Sequence, residues 1–209
     1  MVAPLEVLAF AIGIKPALRF AGEPPEAERW RARGAAVAEG HGIVYVARSE
    51  QDARALRDAE ALVHPGARRR APDAEILEAH RALGRGLGYP RCCVEGFVAR
   101  VVRGVDERAD GTRAAERVVA AEDALRRTRV THARLSFLLP TREALVPFDP
   151  CAFDCAPSLR YAAALFAAYE AREPESAASL RARLLAPLSL DASGARSVEP
   201  VIEIVFDRF

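Results

Sequence analysis

All four cysteines of this chain fall in two short segments, Tyr89-Pro90-Arg91-Cys92-Cys93-Val94-Glu95-Gly96-Phe97 and Phe148-Asp149-Pro150-Cys151-Ala152-Phe153-Asp154-Cys155-Ala156-Pro157. A protein of 209 residues buries enough surface to be stable without disulfide staples, so the thiols are available for other work. Each pair lies beside a proline at what reads as a helix start. Proline suits the first helical position because its missing N–H has no intrahelical partner there. The open backbone N–H groups and the dipole at such ends stabilise negative charge and favour thiolates as ligands. The expectation is one thiolate site, for which the fold must bring segments 88–103 and 147–172 together. The plain alternative is that cysteine, a small hydrophobe, simply fills the core at these positions.

The pattern along the rest of the chain predicts an α+β protein, a single domain over 1–209, with about seven helices packed on a small sheet of about four strands. Residues 5–20 are apolar and fit either a short buried helix or a strand. The Ala, Glu and Arg content from Pro25 to Gly40 predicts a helix capped by Gly40. Ile43-Val44-Tyr45-Val46-Ala47 reads as a buried strand. Ser49 caps a helix over about 50–63, and Pro72-Asp73 opens another with Ile76, Leu77, Leu83 and Leu87 on one face. The strongest helical period lies over 90–103, where Val94, Phe97, Val98, Val101 and Val102 form one stripe. Further helices are expected over 113–128, with Val118, Val119 and Leu125 inward, over 158–171, and over about 175–185. A strand is expected over 133–139. The runs 186–190 and 198–206, joined by Asp191-Ala192-Ser193-Gly194, read as a C-terminal β-hairpin.

Charge and hydropathy narrow the function classes. Thirty basic and 29 acidic side chains leave a net charge of +1, so no global field draws the chain to nucleic acid or anionic lipid. Arg68-Arg69-Arg70 reads as a solvated turn. No stretch reaches the roughly 18 uncharged apolar residues that a spanning helix needs, and the first residues do not read as a signal peptide. The expected location is the cytoplasm, where clustered thiols serve metal or redox chemistry more often than structural disulfides. Expected partners are a redox partner or partner enzyme, with no membrane and no nucleic acid.

Four thiolates at one point suit an iron–sulfur cluster or a tetrahedral zinc ion. Zinc knuckles usually carry two Cys-x-x-Cys turns, and this chain has neither. Adjacent cysteines fit the separate iron corners of a cubane more readily than one small ion, and helix N–H donors can hydrogen-bond the cluster sulfurs. The leading expectation is therefore a 4Fe-4S protein with a redox or sulfur-chemistry role, held by Cys93, Cys151 and Cys155, with Cys92 as fourth ligand or near neighbour. Zinc in a structural interaction module is the first alternative. The second is a thiol–disulfide protein in which Cys151 and Cys155 cycle.

Two resemblances bear on these segments. Cys92-Cys93-Val94-Glu95 is similar to the tandem-cysteine motif in the cluster-bearing small subunit of respiratory complex I, where adjacent cysteines ligate a 4Fe-4S cluster. The later Cys151/Cys155 spacing departs from that family, so the likeness implies only that vicinal cysteines can serve a cluster. The wider pattern, Gly88-Tyr89-Pro90-x-Cys92-Cys93-x3-Phe97 followed by Pro150-Cys151-x3-Cys155-x2-Ser158, resembles an uncharacterised family defined only as a domain of unknown function. It implies that the segments belong together and supplies no reaction.

Of the other polar residues, Asp149, Asp154 and Glu95 read as caps of backbone N–H groups in preference to acid–base catalysts. His41, His64 and His80 read as structural or exposed, and His132 is the histidine best placed for the site because it is nearest in sequence to Cys151. Gly84-Arg85-Gly86-Leu87-Gly88 follows a helix where a phosphate-binding loop would follow a strand.

Overall fold

The computed structural model describes residues 4–22, 24–64, 73–102, 113–135, 144–186, 188–190 and 202–204. Among them are eight α-helices and a three-stranded antiparallel sheet, so the protein is of mixed α+β architecture. The chain forms two compact units, Met1–Val98 and Ala99–Phe209.

The first unit is organised by the strand β3, Ile43–Ala47. It pairs with β1, Ala17–Ala21, and β2, Ala36–Gly40, and so is the middle strand in the order β1-β3-β2. Leu18, Phe20, Val44 and Val46 face one cluster with Ala27 of helix α2, Pro24–Arg31, and with Val7 and Phe10 of helix α1, Pro4–Ala11. Ala17, Ala38, Tyr45 and Ala47 face the other cluster, with Leu56 and Val63 of helix α3, Glu50–Val63, and Ile76 and Leu83 of helix α4, Asp73–Gly86. The alternation of strand side chains thus supplies two cores, one per sheet face. Residues 5–20, open between helix and strand, form both in succession.

The helix expected over 25–40 is corrected. It ends at Arg31, and Gly34, at φ 79°, makes the left-handed turn where Gly40 was expected to. Residues 36–40 instead pair with β3, Gly40 opposite Ile43. His41 and Gly42 have φ of 55° and 72°, the backbone hand of the tight hairpin turn that matches strand twist. Local helix propensity is outweighed here by the ladder and burial that β3 offers.

Helix α3 forms as its sequence predicts, with the Ser49 side chain accepting from the Asp52 backbone N–H. Its Glu60 takes a two-pronged bond from Arg19 of β1, Nε to Oε2 at 2.6 Å and Nη2 to Oε1 at 2.7 Å. Burial pushes the Glu60 carboxyl up, but the hydrogen bonds and charge of Arg19 outweigh it and leave its pKa below the ordinary value.

After α4 the chain turns at Gly88, whose φ of 78° and closeness to the Pro16 ring admit no side chain; a Cβ would lie 2.4 Å from Pro16 Cδ. Helix α5, Arg91–Val102, follows. Gly84 of α4 lies against Val94 of α5, where an added Cβ would be 2.6 Å from Val94 Cγ2. The expected apolar stripe of this helix is corrected at its end. Val94 and Val98 are buried, Val102 is 64% exposed, and Cys93 and Arg100 take buried places.

In the second unit, helices α6, Arg113–Leu125, α7, Ala156–Arg172, and α8, Pro174–Leu185, accompany a long irregular segment. The expected strand over 133–139 begins as a single 3-10 turn, Ala133–Leu135, and residues 136–143 lie outside the described residues. Inward positions on α6 are Ala120, Ala121 and Ala124, with Val119 and Leu125 half-buried. At the C-terminus β4, Leu188–Leu190, pairs antiparallel with β5, Ile202–Ile204. The turn expected at 191–194 lies outside the described residues, as do Arg68-Arg69-Arg70. No described helix is long and apolar enough to cross a membrane.

The Arg19–Glu60 pair makes stability depend on pH. A carboxyl with a lowered folded pKa contributes stability above its unfolded value, near 4.5, and loses it as pH falls through the lower folded value. Glu60→Gln should cost about 1 kcal/mol at pH 7, and the gap from wild type should close as pH drops below that value. Urea denaturation of both proteins at several pH values checks this; a gap that stays constant down to pH of about 3 would contradict it.

Candidate metal centre

The first turn of α5 is fixed by Pro90, whose carbonyl accepts from the N–H groups of Cys93 at 2.9 Å and Val94 at 3.0 Å. Pro90 thus sits one place before the position expected for it, as the cap. Cys92 is exposed and Cys93 buried, yet their sulfurs are 3.9 Å apart. Adjacent positions on a helix point about 100° apart, and the side chains of the two cysteines offset this divergence.

The second segment differs from its sequence reading. Cys151 does not open a helix; residues 151–154 are an irregular turn in which the Cys155 N–H donates to the Ala152 carbonyl at 3.2 Å. Cys155 is the residue before α7, and Pro157 lies in that helix's first turn. The Cys155 sulfur accepts from the Ser158 hydroxyl at 3.3 Å, both residues being buried.

Five bonds hold this segment. Arg100 of α5, only 2% exposed, donates from Nη2 to Asp149 Oδ2 at 2.7 Å. The Phe153 N–H donates to Thr128 Oγ1 at 2.8 Å, and that hydroxyl donates to the Ala124 carbonyl at 2.7 Å. The Phe153 carbonyl accepts from the His132 N–H at 3.2 Å. The Arg129 N–H donates to Asp154 Oδ2 at 3.0 Å. Buried Leu145, Val146, Phe148 and Phe153 pack the same stretch.

The sulfurs of Cys92, Cys93, Cys151 and Cys155 all lie within 4.8 Å of one another. The four cysteines can therefore hold a metal, as their clustering in the sequence implied. Around the site, Asp154 caps a backbone N–H, but that of Arg129 instead of a helix start. Asp149 pairs with Arg100, and Glu95 with Arg81 Nε at 3.1 Å. His132 is tied by its backbone to Phe153 of the cysteine turn, which lies two residues from Cys151 and two from Cys155. His41 and His64 stack at 4.5 Å between ring centroids, a pairing that sequence spacing gave no reason to expect. Arg100, Thr128 and Ser158 were not singled out as functional from sequence. The usable signal was Arg100 seven residues after Cys93, hence on the same face of the helix.

No family model, curated protein or solved structure matches the chain.

Asp149→Ala should remove the counter-charge of a buried guanidinium, costing about 2 kcal/mol or more. Ser158→Ala should leave stability nearly unchanged and weaken metal binding about tenfold by loosening one thiolate. Competition against a chromophoric chelator, beside thermal melts, separates the two effects. Wild-type metal affinity in Ser158→Ala would show that the hydroxyl does not support the ligand.

Proposed function

We propose that this chain is a zinc-binding module in which Cys92, Cys93, Cys151 and Cys155 hold one ion. The observation that carries this reading is the mutual 4.8 Å limit on the four sulfurs. Thiolates at about 2.3 Å around a tetrahedral ion stand about 3.8 Å from each other. Those bound to the four irons of a cubane point away from separate corners and stand on the order of 6 Å apart. The 3.9 Å between the vicinal sulfurs also answers the objection that adjacent cysteines cannot share a small ion. The sulfur spacing thus supports the zinc alternative over the 4Fe-4S expectation.

The residues present suit such an ion in other respects. Soft thiolates in a compact set of four are the donor set of a structural zinc or a single iron, and a closed shell of four leaves no open position for substrate. The ion would supply a cross-link between α5 and the turn before α7, and the Ser158 hydroxyl would steady one ligand. On this reading the module acts through its surface on a partner and resides where thiols stay reduced. Folding of the cysteine-bearing segments is then coupled to metal binding.

Metal analysis of protein purified without oxygen should find about one zinc per chain and no acid-labile sulfide. Cobalt should substitute for it with the intense visible bands of a tetrahedral thiolate site, and Cys151→Ser should weaken binding of either ion. About four irons with matching sulfide would overturn the zinc reading in favour of a cluster. Absence of any bound metal in protein whose thiols are all reduced would favour thiol–disulfide chemistry.

A further inference from the structure

Helices α4 and α5 leave a cleft of about 500 Å³ lined by Glu78, Arg81, Arg85, Arg91, Val94 and Glu95. Three guanidinium groups face two carboxylates there. Arg85 Nη2 binds Glu78 Oε1 at 2.6 Å, Arg81 Nη1 lies 3.7 Å from Glu78 Oε2, and Arg81 Nε lies 3.1 Å from both oxygens of Glu95. Both carboxylates are thus spent on Arg81 and Arg85. Hydrogen bonding from Arg85 keeps the Glu78 pKa below its ordinary value, so it stays ionised at neutral pH. Arg91 is exposed and has no ion pair among the described residues. The cleft therefore carries one positive charge in excess, on the side chain at the first position of α5.

The donors also have the right form. Each guanidinium has five N–H groups in a planar fork, and the bonds above leave Nη2 of Arg81 and Nε and Nη1 of Arg85 for a further acceptor. In the first turn of α5 the Pro90 carbonyl takes the Cys93 and Val94 amides, and the Arg91 amide precedes any intrahelical acceptor. Val94 adds an apolar wall. We infer that this cleft binds a small molecule through an oxyanion group, a phosphate or a carboxylate, with Arg91 as its principal partner and Arg85 and Arg81 held at its sides by Glu78 and Glu95. Arginine suits such a role because its fork meets two oxygens at once. None of the lining side chains is a thiolate, so this inference stands whichever metal the cysteines hold.

The test is calorimetric titration of the full-length, metal-bearing protein with inorganic phosphate and, separately, with succinate, at constant ionic strength. Saturable binding of either is expected, phosphate alone indicating a phosphate-bearing ligand and succinate alone a carboxylate. Arg91→Ala should weaken it about tenfold and Arg91→Lys by less. Arg54→Ala, at an exposed arginine of α3 outside the cleft, should leave it unchanged. Circular dichroism verifies that each variant is folded; Arg85→Ala replaces Arg91→Ala if the latter is not. Linear, unsaturated heats for both anions, or equal affinity in wild type and the cleft variants, would overturn the proposal.

Discussion

A buried guanidinium has to meet a counter-charge, and in this protein that requirement joins two distant parts of the chain. Arg100 occupies an inward position of α5 and is 2% exposed; its partner Asp149 lies two residues before Cys151. Leaving the Arg100 charge without a counter-charge in the interior would cost several kcal/mol. The bond therefore fixes the cysteine-bearing turn against the helix that carries Cys92 and Cys93. Thr128 and Asp154 then set the turn itself through the amides of Phe153 and Arg129. None of these neutral and charged hydrogen bonds involves a thiol.

This arrangement separates two tasks. Packing of Leu145, Val146, Phe148 and Phe153 supplies the burial that makes an irregular segment stable, while polar side chains take up backbone groups that no helix or strand would satisfy. Sulfurs held within 4.8 Å of one another are a donor set suited to a metal ion. The hydroxyl bond from Ser158 steadies the Cys155 sulfur, as outer partners of metal ligands do.

Much of this was legible in the sequence where local and tertiary preferences agree. Ser49 and the period of 50–63 mark α3, and the β-branched run 43–47 marks β3. The collection of all thiols in two proline-flanked segments pointed to one site. Where the two preferences compete, the reading failed. Residues 36–40 have helix-forming composition but belong to the sheet, because β3 has an edge to pair and Gly34 has already ended the helix. The stripe over 94–102 named Val102, yet Arg100 is the buried residue, since its charge has a partner nearly fifty positions away that no periodicity reveals. Cys151 shares the proline context of a helix start, but the loop before α7 is set by Thr128 and Arg129, which lie 25 positions from their partners. The sulfur spacing, on which the proposed single-ion reading rests, depends on contacts that are remote in sequence.

X-ray absorption at the metal edge of the purified protein measures the central quantity directly, the distances and number of atoms around the ion. The account predicts a zinc edge with four sulfurs in one shell at about 2.3 Å and no metal neighbour. An iron edge with an additional iron shell, or a zinc shell dominated by nitrogen or oxygen, would contradict it.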